Sequence, residues 1–324
     1  MNPMYEAIRN FGKQFDYVPE IVNKENIKPF KKIIVLGMGG SNLASGILNI
    51  FDQSLDIYVH RDYGLPLKET NFFDDSLIVA SSYSGNTEEV LSGIDEALKK
   101  GMNVSVISAG GKLIQIAKEK DLPYIEFPNT GIQPRSALGF SFIALAHLIN
   151  SKKAIDGITE IKEKLTPTDL EEEGKNIALK IAGFTPIIYS SNKNLAIAYN
   201  WKIKLNETGK IPAFCNVLPE MNHNEMTGFD LNEKTRGLAE RFIPIFIFDD
   251  TDNEKIIKRM KVVKEIYESK GLVCVETDLK GSNEGERVFS SLLLADWIAY
   301  YTAINNGSEA NEVPMVEDFK KRIL

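Results

Sequence analysis

The sequence predicts an α/β protein of two doubly wound halves, each a parallel sheet sandwiched between helices, with a helical tail at the C-terminus. Three observations predict it. Short apolar runs bounded by turn residues alternate with amphipathic stretches of helical length, the pattern of repeated βαβ units. The 324 residues are too many for one small domain and suit two. The second half repeats the alternation of the first, which places the domains at 1–152 and 153–324.

Residues 1–30 are polar and mixed and read as short helices on the outside of a domain. The first strand is Lys32-Ile-Ile-Val-Leu-Gly37, followed by Gly37-Met38-Gly39-Gly40-Ser41 and a helix over 42–51. Glycines here let a ligand approach the backbone closely. As a dinucleotide fingerprint the turn is incomplete. The third glycine position holds Asn42, and the acidic Asp62 lies about a turn beyond the place of a ribose ligand. Residues 56–60 form the second strand.

The third strand, 76–81, leads into the stretch that carries most chemistry. Leu77 to Ala80 is a continuous apolar run, and Val90, Leu91, Ile94 and Leu98 recur at helical spacing. Between them Ser81, Ser82, Ser84 and Thr87 surround Gly85. A strand feeding a helix through such a turn leaves main-chain N–H groups unpaired at the positive end of the helix dipole. Thr87 with Glu88 and Glu89 reads as an N-cap and an acidic first turn. Hydroxyls and amides converging on one point suit a phosphate. Without a Walker lysine, a nucleoside triphosphate is a poor match. The plain alternative is a helix cap with spare serines.

Residues 103–108 and 122–127 are the next strands, with Ala109-Gly110-Gly111 turning into a helix over 112–120. The glycine turn at Gly39-Gly40-Ser41 and the loop 82–87 both follow strands, at the carboxyl ends where such sheets take ligands. Gln133-Pro134-Arg135-Ser136-Ala137-Leu138-Gly139 opens a long apolar helix to Asn150. A lone Arg is most simply a solvated charge. Immediately before a buried helix, Arg135 is placed to contact an anion or polarise an oxygen.

Residues 151–173 are charged and broken by Thr166-Pro167-Thr168, which makes them the linker candidate. Beyond it come helix 170–181, strand 185–190, helix 194–206, strand 242–248, helix 254–270, strand 272–276 and helix 284–303. The turn Ser190-Ser191-Asn192-Lys193 lacks the Gly and Thr of Ser84-Gly85-Asn86-Thr87, so one phosphate site per chain is expected, in the first domain. Glu207 ends an apolar helix just before Gly209 and Pro212, where carbonyls point toward its charge. A residue in an unfavourable place hints at function, and a fraying helix end in water is the alternative. His223 stands among Asn222, Asn224 and Glu225, polar groups able to orient an imidazole, whereas His60 and His147 lie on a strand end and a buried helix. Glu220 and Glu225 are rival carboxylates to Glu207.

Composition narrows the classes. Hydrophobic residues are 43% and charged residues 26%, as in ordinary globular proteins. A net charge of −7 argues against a general nucleic-acid surface. Cys215 and Cys274 form no disulfide framework and have no metal-ligand spacing, which points to a reducing cytoplasmic setting. Residues 1–20 hold no apolar run of the signal-peptide kind, and the longest apolar stretch, 137–149, is too short to span a bilayer.

The blocks Gly37-Met-Gly-Gly-Ser41, Ser82-Tyr-Ser-Gly-Asn-Thr-Glu-Glu89, Gln133-Pro-Arg-Ser-Ala-Leu-Gly139 and Pro219-Glu-Met-Asn-His-Asn-Glu225 resemble those of the bifunctional phosphoglucose/phosphomannose isomerases. That family belongs to the sugar isomerase (SIS) domain superfamily. The Ser-rich loop marks the superfamily, which also includes sugar-phosphate-binding regulators. The Gln-Pro-Arg and Asn-His-Asn-Glu blocks, in that order, are more specific. The resemblance implies two SIS domains, a homodimer, sugar-phosphate substrates and no metal or organic cofactor. It implies that Ser82, Ser84 and Thr87 hold the sugar phosphate, with Gly40 and Ser41 beside the substrate and Arg135 near its reacting carbons. It makes Glu207 the base, and gives ring opening to His223, supplied by the neighbouring subunit, and to a C-terminal lysine. Lys320 is taken as that lysine, with Lys321 as its rival. Where the family often has Thr before the proline of this tail, Val313 stands here, close in size but without the hydroxyl. Two other functions fit the same loop: a non-catalytic sugar-phosphate sensor, and an SIS enzyme acting on amino-sugar phosphates.

Overall fold

Most of the predicted elements are present in the computed structural model, which describes residues 2–323. The chain divides into two compact units. One is residues 10–164; the other joins the residues up to Arg9 to those from Leu165 onward. The N-terminal stretch forms α1 (Pro3–Arg9), which belongs to the second unit, and two short 3-10 turns, Phe11–Asp16 and Lys24–Asn26. Its apolar side is buried at Met4, Ile8, Phe11 and Phe15, so these helices contribute to a core as well as covering one.

In residues 10–164 the apolar runs become one parallel sheet. Its strands are β1 (Lys32–Leu36), β2 (Asp56–His60), β3 (Ser76–Ser82), β4 (Val104–Ser108) and β5 (Tyr124–Glu126), in the order β2-β1-β3-β4-β5. Every neighbouring pair is parallel, which requires crossovers. Helices α2 (Leu43–Phe51), α3 (Glu88–Lys99) and α4 (Gly111–Glu119) supply them. All residues of β3 and β4 are buried, as their Val- and Ile-rich runs predict for strands covered on both faces. Ile34, Ile78, Val106, Ile94 and Leu113 pack in one core cluster. Each such side chain contributes about 1.5–3 kcal/mol by leaving water. The order reverses between β1 and β3, so the turns after these two strands flank the crevice where doubly wound sheets bind ligands.

After β5 comes a 3-10 turn at Pro134–Ser136 and then α5 (Leu138–Leu148), buried at every residue except His147. The predicted linker is mostly helix. Lys152–Lys164 forms α6, amphipathic, with Ala154, Ile158 and Ile161 buried in the first unit. Its charges are the solvated face of that helix, and only the Thr166-Pro167 break lies where the units divide.

The second unit runs through α7 (Glu171–Lys180), β6 (Thr185–Ser191), α8 (Leu195–Glu207), β7 (Phe214–Leu218), α9 (Arg236–Ala239), β8 (Phe242–Phe248), α10 (Glu254–Ser269), β9 (Val275–Asp278), α11 (Glu284–Asn305) and α12 (Pro314–Ile323). Its parallel sheet has the order β7-β6-β8-β9. That is the order of β2-β1-β3-β4, strand for strand. The match extends to the turns, where Ser41-Asn42-Leu43-Ala44 and Lys193-Asn194-Leu195-Ala196 each end a 3-10 turn and begin a helix at Leu. β7 is not among the strands that the sequence predicts. It is an edge strand with Phe214 53% exposed and Asn216 at its centre, so it carries no continuous apolar run. Strand β9 begins three residues later than predicted, because Val275 and Thr277 are the residues that face inward.

Candidate active site

In the first unit, the predicted phosphate loop leaves the end of β3. Ser82 and Thr87 share a hydrogen bond of 2.8 Å between their hydroxyls, and the Ser84 hydroxyl lies 3.5 Å from that of Ser82. Three hydroxyls therefore converge at the N-terminus of the twelve-residue helix α3. Thr87 stands at the N-cap position, yet its side chain does not cap the helix; it turns to Ser82 instead. The loop is held from beneath. Gly85 has φ +68°, and a Cβ there would stand 1.9 Å from the Gly110 carbonyl oxygen, so only glycine fits. Asn86 binds Ser84 O through its amide nitrogen and accepts from Lys112 N, which ties the loop to the Gly110-Gly111 turn.

The glycine turn after β1 (Gly39–Asn42, a 3-10 turn) is joined to this loop. Ser41 Oγ accepts from Tyr83 N at 2.9 Å, and Ser81 Oγ donates to Ser41 O at 3.0 Å. Gly40 in turn lies against the Pro134–Arg135 peptide. A Cβ on it would stand 2.9 Å from Arg135 N and from Pro134 C. Gly40→Ala is therefore expected to push main chain from main chain, at about 1–3 kcal/mol. Hydrogen exchange of the β1 amides in that variant reads the loss, and native protection factors would show that Gly40 is not closely packed on the Pro134–Arg135 peptide.

Arg135 is not a solvated surface charge. It is 1% exposed, among the largest fully buried side chains of the chain. Its turn is clamped by a residue that the sequence did not single out: Gln14 donates to Ser136 O at 2.7 Å and accepts from Phe140 N. The structure thus brings Gly40, Ser41, Ser82, Ser84, Thr87 and Arg135 into one neighbourhood of hydroxyls, a close-packed backbone, a helix N-terminus and a buried guanidinium. Such a place suits an oxyanion.

By strand order, the counterpart of this loop in the second unit is 249–253, after β8, and not the Ser190-Ser191-Asn192-Lys193 turn that the serines suggest. It is acidic. Asp249, 2% exposed, accepts from Thr251 Oγ1 at 2.6 Å, Asn194 Nδ2 at 2.9 Å and Lys193 Nζ at 3.2 Å, and Asp252 accepts from Ser191 Oγ at 2.9 Å. Burial alone raises the Asp249 carboxyl, but the Thr251 and Asn194 hydrogen bonds outweigh it and hold it at about 2. Burial raises Asp252. Carboxylates at this position repel a phosphate.

The other predicted residues lie in the second unit. Glu207 is the last residue of α8 and is half-buried. Its carbonyl accepts from the Lys210 ammonium, a cation at the helix end that offsets the dipole facing the carboxylate. His223 ends a 3-10 turn at Glu220–His223 and is exposed. The side chains expected to orient it are engaged elsewhere. Asn222 Nδ2 contacts the sulfurs of Met221 and Met226, Asn224 donates to Glu220, and Glu225 accepts from Tyr189 OH at 2.6 Å and Asn216 Nδ2 at 2.7 Å. Burial drives the Tyr189 phenol far above its ordinary pKa, so it stays a donor to Glu225. Lys320 lies on α12, exposed, 2.8 Å from Glu317 one turn earlier. Among the described residues no hydrogen bond joins His223 or Lys320 to Glu207. Among the described residues, too, no group of three or more His, Cys, Asp or Glu side chains is placed to hold a metal ion, and no helix is long and apolar enough to cross a membrane.

Residues 170–323 match the family described as bacterial phospho-glucose isomerase C-terminal SIS domain. A bifunctional phosphoglucose/phosphomannose isomerase of Aquifex aeolicus is 34% identical over 330 aligned positions, covering 100% of this chain and 99% of the relative. A D-glucosamine-6-phosphate 4-epimerase of Sulfolobus acidocaldarius is 35% identical over 70% of this chain and 72% of its own length. In three dimensions, the C-terminal domain of glucosamine-fructose-6-phosphate aminotransferase from Francisella tularensis superposes with a TM-score of 0.66 at 16% identity, covering 96% of each chain, which shows the shared SIS-type fold. With its two parallel sheets, its hydroxyl-lined loop and a full-length match of this closeness, the chain belongs to the bifunctional phosphoglucose/phosphomannose isomerase family.

Proposed function

We propose that the protein interconverts glucose 6-phosphate and mannose 6-phosphate with fructose 6-phosphate, by proton transfer through an enediol and without a metal. The full-length match to the Aquifex aeolicus relative carries this assignment. The cluster of Ser82, Ser84 and Thr87 at the α3 N-terminus supports how the substrate is held. The two aldoses differ only at C2, and loss of the C2 proton takes both to one enediol. That chemistry asks for a carboxylate near C2, acid and base groups to open the ring, and a positive group for the oxyanion that develops. Glu207 is the base, His223 and Lys320 serve ring opening, and Arg135 stabilises the oxyanion. Of the rival carboxylates, Glu225 already has both oxygens occupied, by Tyr189 and Asn216, and Glu220 takes Asn224. The phosphate is remote from the reaction, so its binding energy serves to position C1 and C2. The protein works in the cytoplasm as a homodimer, in which each subunit supplies His223 to its neighbour's site.

A second reading is favoured by one observation, the Sulfolobus acidocaldarius relative named for an amino-sugar phosphate. Coupled assays with glucose, mannose and glucosamine 6-phosphates separate the two. Fructose 6-phosphate formed from the first two sugars, in the presence of a chelator, is expected; turnover of the amino sugar alone would move the assignment to the second reading. Binding of all three without turnover would leave a sensor.

The phosphate loop has its own test. Thr87→Ala is expected to weaken binding of substrate and of sugar-phosphate inhibitors by about 1–2 kcal/mol, the scale of a hydrogen bond to a charged group. Titration calorimetry with an inhibitor reads it, and native affinity in the folded variant would remove the loop from the site.

A further inference from the structure

Lys210 lies three residues after Glu207, in the turn from α8 to β7. Its backbone is left-handed, with φ +56°, a conformation that side-chain-bearing residues rarely adopt. A lysine held there in place of glycine points to a need for its side chain. The ammonium donates to two main-chain carbonyls. One is that of Glu207, at the last turn of α8. The other is that of Glu312, two residues before Pro314 opens α12.

Both acceptors are on fixed chain. The end of α8 is closed by Thr208 N and Gly209 N on Lys204 O, and by Ile211 N on Leu205 O. The other acceptor belongs to a tied turn, where Glu309 accepts from Asn311 N and Glu312 N and the Glu312 carboxylate accepts from Asn311 Nδ2. One side chain therefore spans the end of the helix that carries Glu207 and the root of the helix that carries Lys320. A cation at a helix C-terminus also offsets the negative end of the dipole, which otherwise opposes an ionised Glu207.

We infer that Lys210 is a positioning residue for the isomerase reaction. It sets the main chain of Glu207 and the start of α12 from one point, and so aligns base and tail lysine without touching the substrate. This rests on Glu207 being the base, as proposed above.

The test compares Lys210→Met, Lys210→Gly and Lys210→Arg with the native protein and with Glu207→Gln, on glucose 6-phosphate. Lys210→Met is expected to lower kcat about tenfold or more with KM within about twofold, the split for a group that acts on the chemical step and not on binding. Lys210→Gly removes the left-handed strain and is expected to keep or raise the melting temperature, yet to lose kcat as the Met variant does. A merely structural lysine would not separate the two readouts. Lys210→Arg, which keeps the donors, is expected to recover most of the rate. A native kcat in either the Met or the Gly variant overturns the inference, as does a rate loss in Lys210→Gly that follows a lowered melting temperature. If instead Glu207→Gln retains its rate, the base assignment fails, and that result is read without reference to Lys210.

Discussion

Glu207→Gln is expected to lower turnover of glucose 6-phosphate and mannose 6-phosphate by at least the roughly 10²–10⁴-fold that loss of a general base costs. The amide keeps the size of the carboxylate, so fold and phosphate affinity should persist. Both sugars should suffer alike, because their routes share the C2 proton transfer. Substitution of His223 should behave differently and spare part of the activity on open-chain sugar, since ring opening is its proposed task. The position of Glu207 supports this division. It is half-buried at the end of α8, with the Lys210 ammonium on its carbonyl. Steady-state kinetics with each aldose check the expectation, and a near-native rate in Glu207→Gln would pass the role to Glu220 or Glu225.

Lys204→Met should give the largest loss of stability. Lys204 Nζ meets Asp296 Oδ2 at 2.5 Å, with side chains 1% and 5% exposed, and so pins α8 to α11 one turn before Glu207. Removing one member of a buried pair leaves the other charge uncompensated, at about 3–5 kcal/mol. The only two tryptophans, Trp201 and Trp297, both lie in this unit, so urea unfolding followed by their fluorescence reports on it directly. The midpoint should fall with the slope unchanged. Replacing Asp296 by Leu in the same chain should recover much of the loss, because apolar side chains pack there without desolvating a charge. A midpoint that hardly moves in Lys204→Met would mean that water reaches the pair.

Sequence made the buried strands legible, and the edge strand β2 as well, but not the edge strand β7. β1, β3, β4, β6 and β8 are near-continuous apolar runs because helices cover both faces of their sheets. β7 lies at an edge, half in water, and its Asn216 breaks the run; that Asn instead anchors Glu225. The phosphate loop was legible because its hydroxyls are local in sequence, 82 to 87. The clamp on Arg135 was not, since Gln14 reaches Ser136 across 122 residues. Around His223, neighbouring polar residues suggested partners, but two 3-10 turns, Glu220–His223 and Glu225–Phe229, meet at Asn224 and point these side chains in different directions, to Met221, Glu220 and Tyr189. The counterpart of the phosphate loop in the second unit was misplaced for a related reason. Strand order, which pairs 249–253 with 82–87, cannot be read from the spacing of serines.

The central claim is that both aldose phosphates lose their C2 proton to one base on the way to a common ketose. It is tested most directly by converting glucose 6-phosphate and mannose 6-phosphate separately in heavy water and following the fructose 6-phosphate by nuclear magnetic resonance. Proton transfer through an enediol gives the base a chance to exchange with solvent. The account therefore predicts deuterium at C1 of fructose 6-phosphate from either sugar, and loss of both conversion and label in Glu207→Gln. Fructose 6-phosphate formed without deuterium from either sugar, or labelled at the native rate in Glu207→Gln, would contradict it.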